Sequence, residues 1–148
     1  MRQENIPADS QQAKGAQKNL TLPEVQEVLF GALQPYREVI FAILYGSVVE
    51  GSDYRDIDLA LYVNRELESS GESWDFALRL AEQLQKKLSC PVDVCILNEA
   101  PLAFRYHVCQ GVPVLVRDQA FLDQFIERTR DEYWDFQPIA LQYLRELG

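Results

Sequence analysis

The sequence predicts an α/β (α+β) domain in which a small mixed sheet packs against helices. Short apolar runs of strand length alternate with segments whose apolar residues recur at helical spacing, a pattern typical of this class. The chain has 148 residues, of which 47% are hydrophobic and 25% charged, so one domain with a substantial core is expected. The predicted order is helix, strand, turn, strand, helix, strand, helix, strand, helix.

The first part of the chain predicts one helix and two strands. Thr21 can cap the helix, Pro23 suits its first turn and Pro35 ends it. The apolar residues at helical spacing are Val25, Val28, Leu29, Ala32 and Leu33. Residues 39–45 form an apolar run short enough for a buried strand, and residues 56–63 form the next strand.

The middle of the chain predicts a loop, a long helix and a third strand. The polar segment "NRELESSGES", residues 64–73, is expected to be a loop, and Ser73 can cap the helix after it. The apolar face of that helix is predicted to consist of Trp74, Ala77, Leu78, Ala81, Leu84 and Leu88. Residues 92–97 predict the third strand.

The last third predicts two helices around an edge strand. Pro101 opens a short helix that Gly111 closes. Residues 112–116 are expected to form the fourth strand, at an edge of the sheet. Residues 120–147 are again helical, with a bend expected at Pro138.

The net charge of the chain indicates which kinds of partner it can bind. A net charge of −9 argues against a basic face for nucleic acid. A nucleotide is still compatible, because it arrives with metal ions that offset carboxylates. An acidic protein also suits a basic protein partner.

Several features predict a cytoplasmic protein with reduced thiols and no membrane span. No apolar run approaches the roughly 20 residues that cross a bilayer. The first twenty residues are polar and lack the apolar core of a secretory signal, so residues 1–20 are expected to be a flexible extension and residues 21–148 a single domain. The odd number of cysteines and the absence of a CxxC pair favour free thiols that serve as small core residues: Cys90, Cys95 and Cys109.

The strongest chemical signal is the stretch "LYGSVVEGSDYRDIDLALYV", residues 44–63. Alternate side chains of a strand share a face, so Asp56 and Asp58 are expected on one face, with Ile57 and Leu59 on the other. Their Cα atoms would lie roughly 7 Å apart, which lets both carboxylates converge on ions. Divalent cations offset carboxylate repulsion, and ligands that are all oxygen favour magnesium or manganese over zinc.

Gly46 and Ser47 follow the first strand. Glycine lets the backbone come close to a ligand, and free amides at a following helix start can hold a phosphate. Ser47 adds a hydroxyl donor, and Gly51 lets the chain turn back towards the second strand. Asp93 is the candidate third carboxylate, because an acidic residue inside an apolar strand is costly to bury unless it is paired or metal-bound.

Each of these signals is weak alone. An isolated Asp-x-Asp is more often a strand-edge or turn-capping feature. The joint pattern is more specific and suits transfer of a phosphoryl or nucleotidyl group, in which metal ions hold the attacking and leaving oxygens. Glu50 is expected to be a surface charge, Arg55 either a surface charge or a phosphate contact, and His107 is given no catalytic role.

These residues resemble the signature of the minimal nucleotidyltransferases, small members of the DNA polymerase β-like superfamily. The resemblance is to the MntA-type antitoxins that pair with HEPN-domain toxins. That signature is Gly-Ser, a short helix and turn, and then Asp-x-Asp, which here are Gly46-Ser47 and Asp56-Ile57-Asp58.

The resemblance extends over roughly residues 21–148. Residues 92–118 resemble the strand of the third carboxylate and the helix after it, which puts Asp93 in the third position, and residues 126–147 resemble the long last helix. Two departures are present. Eight residues separate the Gly-Ser pair from the first aspartate, a couple fewer than usual, and Arg55 stands where serine is common.

The resemblance implies an activity and roles for the site residues. Asp56 and Asp58 would hold two Mg²⁺ ions on the triphosphate of ATP, and Gly46 and Ser47 would hold its β- and γ-phosphates. Asp93 would bind the catalytic metal and favour deprotonation of the acceptor. In the antitoxin family that acceptor is a tyrosine of the HEPN ribonuclease toxin, which AMP modification silences, so a hetero-oligomer with the toxin is expected.

Two other functions stay open at this stage. One is adenylylation of a small molecule, as in aminoglycoside nucleotidyltransferases, although a chain this short has little room for a separate substrate-binding domain. The other is neutralisation of a partner by contact alone. The acidic charge and an aromatic-rich tail would suit contact alone, with Tyr133, Trp134, Phe136 and Tyr143 as its aromatics. Core packing is the competing explanation for these aromatics and the preferred one for Phe136.

Overall fold

The computed structural model of the protein describes residues 20–51 and 53–147. Its strands are β1 (Val39–Tyr45), β2 (Ile57–Val63), β3 (Val92–Ile96) and β4 (Val112–Val116). They form one sheet in the order β3-β2-β1-β4. β1 pairs antiparallel with β2 and with β4, whereas β2 pairs parallel with β3. The predicted small mixed sheet, with β4 at an edge, is confirmed.

Helices cover both faces of this sheet, which confirms the predicted α/β (α+β) class. They are α1 (Leu22–Leu33), α2 (Ser47–Glu50), α3 (Arg65–Ser70), α4 (Ser73–Leu88), α5 (Leu102–Cys109) and α6 (Gln119–Leu147). None of the helices in the described part of the chain has the length and apolar character needed to cross a membrane. The predicted flexible extension, residues 1–20, lies outside the described residues except for Leu20.

The two faces of the sheet bury separate apolar clusters. One face packs against α1 and α4, and β2 contributes Ile57, Leu59 and Leu61 to it. The other face packs against α5 and α6, and Tyr45 belongs to it. Because successive strand residues point to opposite faces, Asp58 lies on the same face as Tyr45.

The first helix begins as the sequence predicts. The Thr21 hydroxyl accepts a hydrogen bond from the Glu24 amide at 3.3 Å, and the Glu24 carboxylate accepts one from the Thr21 amide at 2.8 Å. This reciprocal capping box satisfies two amides that the helix itself leaves without partners. Pro23 lies in the first turn, as expected.

The predicted polar loop after β2 was wrong, because it contains α3. The Asn64 side-chain oxygen accepts a hydrogen bond from the Leu67 amide at 2.9 Å and caps the helix, and Gly71 ends it in the left-handed conformation. The prediction that Ser73 caps the next helix was also wrong. Ser73 is the first residue of α4, and its hydroxyl donates to the Glu68 carboxylate at 2.8 Å.

The predicted apolar face of α4 was partly wrong. Trp74 and Leu78 are 71% and 60% exposed. The apolar residues that α4 buries are Phe76, Ala77, Leu80, Leu84 and Leu88. Phe76, Leu80 and Leu84 recur at helical spacing, so the buried face is centred on the side of Ala77 that lies away from Trp74 and Leu78.

The prediction that Phe136 packs in the core was wrong, since its side chain is 52% exposed. The helix that carries it, α6, has 29 residues and continues through Pro138. At about 1.5 Å per residue it is roughly 44 Å long, whereas the strands it packs against are roughly half that length or shorter. Its second half therefore extends beyond the sheet.

Arg117, which follows β4, joins the end of α1 to β1. Its Nε donates to the Val39 carbonyl at 2.7 Å. Its Nη2 donates to the carbonyl oxygens of Leu33, Gln34 and Tyr36 at 3.3, 3.0 and 3.1 Å. Carbonyl groups at a helix end have no partner within the helix, so one guanidinium here satisfies several of them.

Candidate active site

Asp58 lies inside the sheet, between two other polar side chains. In the strand register it is opposite Tyr45 of β1 and opposite Asp93 of β3. Residues that are directly opposite in a ladder point to the same face. Asp56 comes two residues before Asp58, just ahead of the first residue of β2. The sheet thus brings the three predicted carboxylates to one end of one face.

The charges of these carboxylates act on one another. The pKa of Asp58 is raised, mainly by burial and then by the charges of Asp56 and Asp93, while His107 acts in the opposite direction. Asp58 is partly buried, whereas Asp56 and Asp93 are exposed. The structure therefore holds Asp58 where its ionised form is destabilised unless a cation lies beside it.

The expectation that Asp93 is buried inside an apolar strand is wrong. Asp93 is exposed on β3, which is an edge strand of the sheet. Its position opposite Asp58, rather than its burial, now connects it with the site. The carboxylate whose ionised form is destabilised by burial is Asp58.

Gly46 brings the backbone against this group. It has a φ of 83°, which L-residues with side chains rarely adopt, and it precedes the first residue of α2, Ser47. A Cβ atom added to Gly46 would lie 2.4 Å from Oδ2 of Asp58. The close approach of backbone and carboxylate requires glycine at this position. The predicted turn at Gly51 is also present, with a φ of 87°.

The side chains around Asp58 are suited to a hard cation. All three predicted ligands are carboxylates, and oxygen ligands are those that Mg²⁺ prefers. Among residues 20–51 and 53–147, no group of three His, Cys, Asp or Glu side chains is already drawn together as a metal site. The chemical fit to magnesium rests on the donor type and on the electrostatic strain at Asp58.

Three neighbours of the carboxylates were not anticipated from the sequence. The Tyr45 hydroxyl donates to Sγ of Cys95 at 3.7 Å, and its ring meets the His107 ring edge-on at 5.6 Å. Burial, followed by contact with Cys95, raises the pKa of Tyr45, so this phenol stays protonated at neutral pH. Cys95 had a signal in the sequence, because it is two residues after Asp93 and so shares its face. Glu50 and Arg55 are exposed, in keeping with surface charges.

One cavity in the described structure lies away from the carboxylates. It measures about 360 Å³ and lies near the opposite end of β2, where Tyr62, Arg65 and Asn98 contribute to its lining. None of the predicted site residues lines it. The carboxylate cluster is thus an open surface at a sheet end.

Comparisons with known proteins agree with this geometry. The family model for polymerase β nucleotidyltransferases matches residues 27–120, which include all five predicted site residues. A search of curated protein sequences gives no significant match. Solved structures do match, and several of them are toxin–antitoxin complexes.

Three of these structures illustrate the likeness. A chain of the toxin–antitoxin MntA-HepT crystal structure has a TM-score of 0.63 and 18% identity, covering 84% of this chain and 97% of that one. A chain from the tri-AMPylated Shewanella oneidensis HEPN toxin in complex with MNT antitoxin has a TM-score of 0.62 and 18% identity, and the match covers 84% of this chain and 97% of that one. A chain of a toxin–antitoxin structure with AMP-PNP has a TM-score of 0.64 and 19% identity, and the match covers 82% of this chain and 97% of that one. At these identities the likeness is one of fold. Together with the family model, which spans most of the sheet and its carboxylates, it shows that this chain belongs to the polymerase β nucleotidyltransferase family.

Proposed function

We propose that this chain is an antitoxin nucleotidyltransferase that transfers AMP from ATP to a hydroxyl group, a tyrosine, of a HEPN-domain ribonuclease toxin and so silences it. The observation that carries the chemistry is the placement of Asp58 beside Asp93, with the Gly46 backbone against it. The fold shared with chains of toxin–antitoxin complexes, one with an AMPylated toxin and one with AMP-PNP, supports the acceptor and the nucleotide. ATP and RNA share the cytoplasm, so we propose that location.

The nucleotide would bind where β1 ends. Gly46 exposes backbone without a side chain, so the phosphate chain of ATP can approach closely. Ser47 begins α2 and offers both its hydroxyl group and its amide. We assign the β- and γ-phosphates to these two residues.

Asp56, Asp58 and Asp93 are the residues that would hold Mg²⁺. When bound, two Mg²⁺ ions supply charge stabilisation to the attacking and leaving oxygens. The chain contributes the carboxylates in fixed positions, two of them opposite each other on neighbouring strands. A cation would offset the burial and, after it, the neighbouring negative charges that raise the pKa of Asp58.

In the transfer step, one bond to phosphorus forms and another breaks. The acceptor hydroxyl oxygen forms a bond to the α-phosphorus of ATP, the bond from that phosphorus to the bridging oxygen breaks, and pyrophosphate leaves. The hydroxyl proton must be lost as the bond forms. Asp93 is exposed at the open side of the cluster, where an acceptor can reach it, and we assign to it the role of favouring that deprotonation.

Radiolabelled nucleotides test the proposal. The chain is incubated with Mg²⁺ and a purified HEPN-domain protein, in parallel with ATP labelled at the α- or the γ-phosphate. Transfer of AMP predicts label on the HEPN protein from α-labelled ATP and none from γ-labelled ATP. Label from the γ-position would indicate phosphoryl transfer instead. A stable complex without label from either nucleotide would favour neutralisation by contact alone.

A further inference from the structure

The second half of α6 presents large apolar side chains to solvent. From residue 134 to residue 146, every side chain that the structure describes is exposed except Gln137, which is partly buried. Phe136, Ile139, Tyr143 and Leu144 are 52–65% exposed. Single exposed apolar residues are normal, but a contiguous group of this kind usually marks an interaction surface.

These side chains continue a face that the fold already uses. In the first half of α6, Phe125 and Ile126 pack against the core cluster beneath the sheet. Tyr143 and Leu144 follow them by eighteen residues, which is five turns of an α-helix, so each pair points in the same direction. Phe136 follows Phe125 by eleven residues, close to three turns. We call Phe136, Tyr143 and Leu144 the α6 stripe.

We propose that the α6 stripe is the docking surface for the protein that this chain modifies, through an apolar ridge bordered by lysine or arginine; this inference rests on the proposed function. The charges around the stripe specify that partner. Residues 131–147 carry four carboxylates and one arginine, namely Asp131, Glu132, Asp135, Glu146 and Arg145. Glu132 is paired with Arg105 at 3.3 Å, and the other three carboxylates form an acidic border along one side of the stripe. Such a border attracts a basic surface and repels an acidic one.

Charge disfavours one other occupant of the stripe, and composition disfavours a second. A second copy of this chain would bring an equally acidic helix and a net charge of −9 to the contact. The N-terminal residues 1–19 are mostly polar and contain no cluster of large apolar residues that could cover the stripe.

The test uses two matched double variants of the full chain. The stripe variant is Phe136→Gln with Tyr143→Gln, and the control is Trp134→Gln with Leu141→Gln. Each removes two large exposed apolar side chains from the same part of α6. At about 100° per residue, Trp134 and Leu141 lie about 140–180° around the helix from Phe136 and Tyr143, and glutamine preserves helix propensity.

The affinity of each variant for the HEPN-domain protein that the wild type modifies is measured by calorimetry. The stripe variant is expected to bind at least about 100-fold more weakly, because aromatic and apolar anchors dominate such interfaces. The control is expected to bind within about threefold of the wild type. Both variants should keep the thermal shift that ATP and Mg²⁺ give the wild type, which shows that the fold and the nucleotide site are intact.

Three outcomes would overturn the inference, and they are distinguishable. Equal binding by the stripe variant, with AMP still transferred, rejects the docking surface and leaves the proposed function standing. Absence of both binding and AMP transfer in the wild type rejects the proposed function and the inference together. A wild-type dimer in sedimentation that becomes a monomer in the stripe variant would assign the stripe to a second copy.

Discussion

Gly46 is the residue at which the backbone comes closest to the Asp58 carboxylate. A Cβ atom there would lie 2.4 Å from Oδ2 of Asp58, and the φ of 83° is unfavourable for any L-residue. We predict that Gly46→Ala costs about 1–2 kcal/mol of stability and abolishes most ATP binding, because the new methyl group displaces either the loop or the carboxylate. Calorimetry with ATP and Mg²⁺ measures the binding, and thermal unfolding measures the stability.

Gly51 provides the control for this substitution. Its φ of 87° and ψ of 4° lie in the left-handed region, so Gly51→Ala is also strained, although less than Gly46→Ala, because the ψ of −153° at Gly46 lies in a region open essentially to glycine alone. Nothing lies within 4 Å of the Cβ atom added at Gly51. Gly51→Ala should therefore lose stability and keep most of its ATP affinity. If the two variants bind ATP equally well, the proposed role of Gly46 is wrong.

Asp58 predicts a pH dependence of stability in the metal-free protein. Burial and neighbouring carboxylates raise its pKa in the folded state above the unfolded value. The ionised group therefore costs stability, and that cost appears as the pH rises from about 4 through the raised folded pKa. Asp58→Asn should raise the melting temperature at pH 7, and the gain should shrink towards zero near pH 4.

Asp53, an exposed aspartate in the loop before β2, is the matched control for the pH experiment. Asp53→Asn removes the same charge outside the cluster and should show no comparable gain at pH 7. A melting temperature of Asp58→Asn that follows the wild type at every pH would contradict the electrostatic account of the site.

The alternation of strand residues and the backbone preferences of glycine were enough to predict the positions of some site residues but not of others. Strand alternation placed Asp58 on its face, and the turn chemistry of glycine identified Gly46. Tyr45 was missed because its contact with Asp58 depends on which residues two strands pair, and that register follows from the packing of the whole sheet. His107 was set aside for a similar reason, since α5 reaches the site only through the tertiary fold.

At the scale of elements, Arg117 is predicted to be a main support of the connection between α1 and the sheet. Its guanidinium donates to the carbonyl oxygens of Val39, Leu33, Gln34 and Tyr36. Arg117→Met should cost about 1–2 kcal/mol, because it removes a charged donor from the carbonyl of the buried residue Val39, while the Leu33 and Tyr36 carbonyls keep backbone amides as donors. Arg117→Lys should lose less, since one ammonium group can satisfy some of them. Urea unfolding gives both values, and a loss below about 0.5 kcal/mol for Arg117→Met would contradict this role.

The elements themselves were predictable to different degrees. The four strands were evident as apolar runs, because a strand buried between two helical layers is apolar on both faces. The helix α3 was missed because its residues are mostly polar and its start depends on one capping side chain, Asn64. The exposed positions of Trp74 and Leu78 depended on how α4 is rotated against the sheet, which its composition did not fix.

At the scale of the whole molecule, two functions occupy different elements. The carboxylates lie at one end of the sheet, on β2 and β3 and in the turn before β2, whereas the α6 stripe lies on the part of the last helix that extends beyond the core. The sequence indicated the first site through a local motif. It offered the second only as one of two explanations for the aromatic tail, since only the fold shows where the sheet ends and the helix continues. Chemistry and partner binding should therefore be separable by mutation.

Asp93→Asn gives the most direct test of nucleotidyl transfer as the mechanism. Asp75→Asn, an exposed aspartate on α4, serves as the charge-matched control. Each protein is mixed with the HEPN-domain protein, ATP and Mg²⁺, and the products are analysed by mass spectrometry. The account predicts that both variants bind the HEPN protein, that Asp75→Asn modifies it with AMP as the wild type does, and that Asp93→Asn leaves it unmodified and toxic in cells. An Asp93→Asn protein that still adds AMP, or that neutralises the toxin without adding it, would contradict the account.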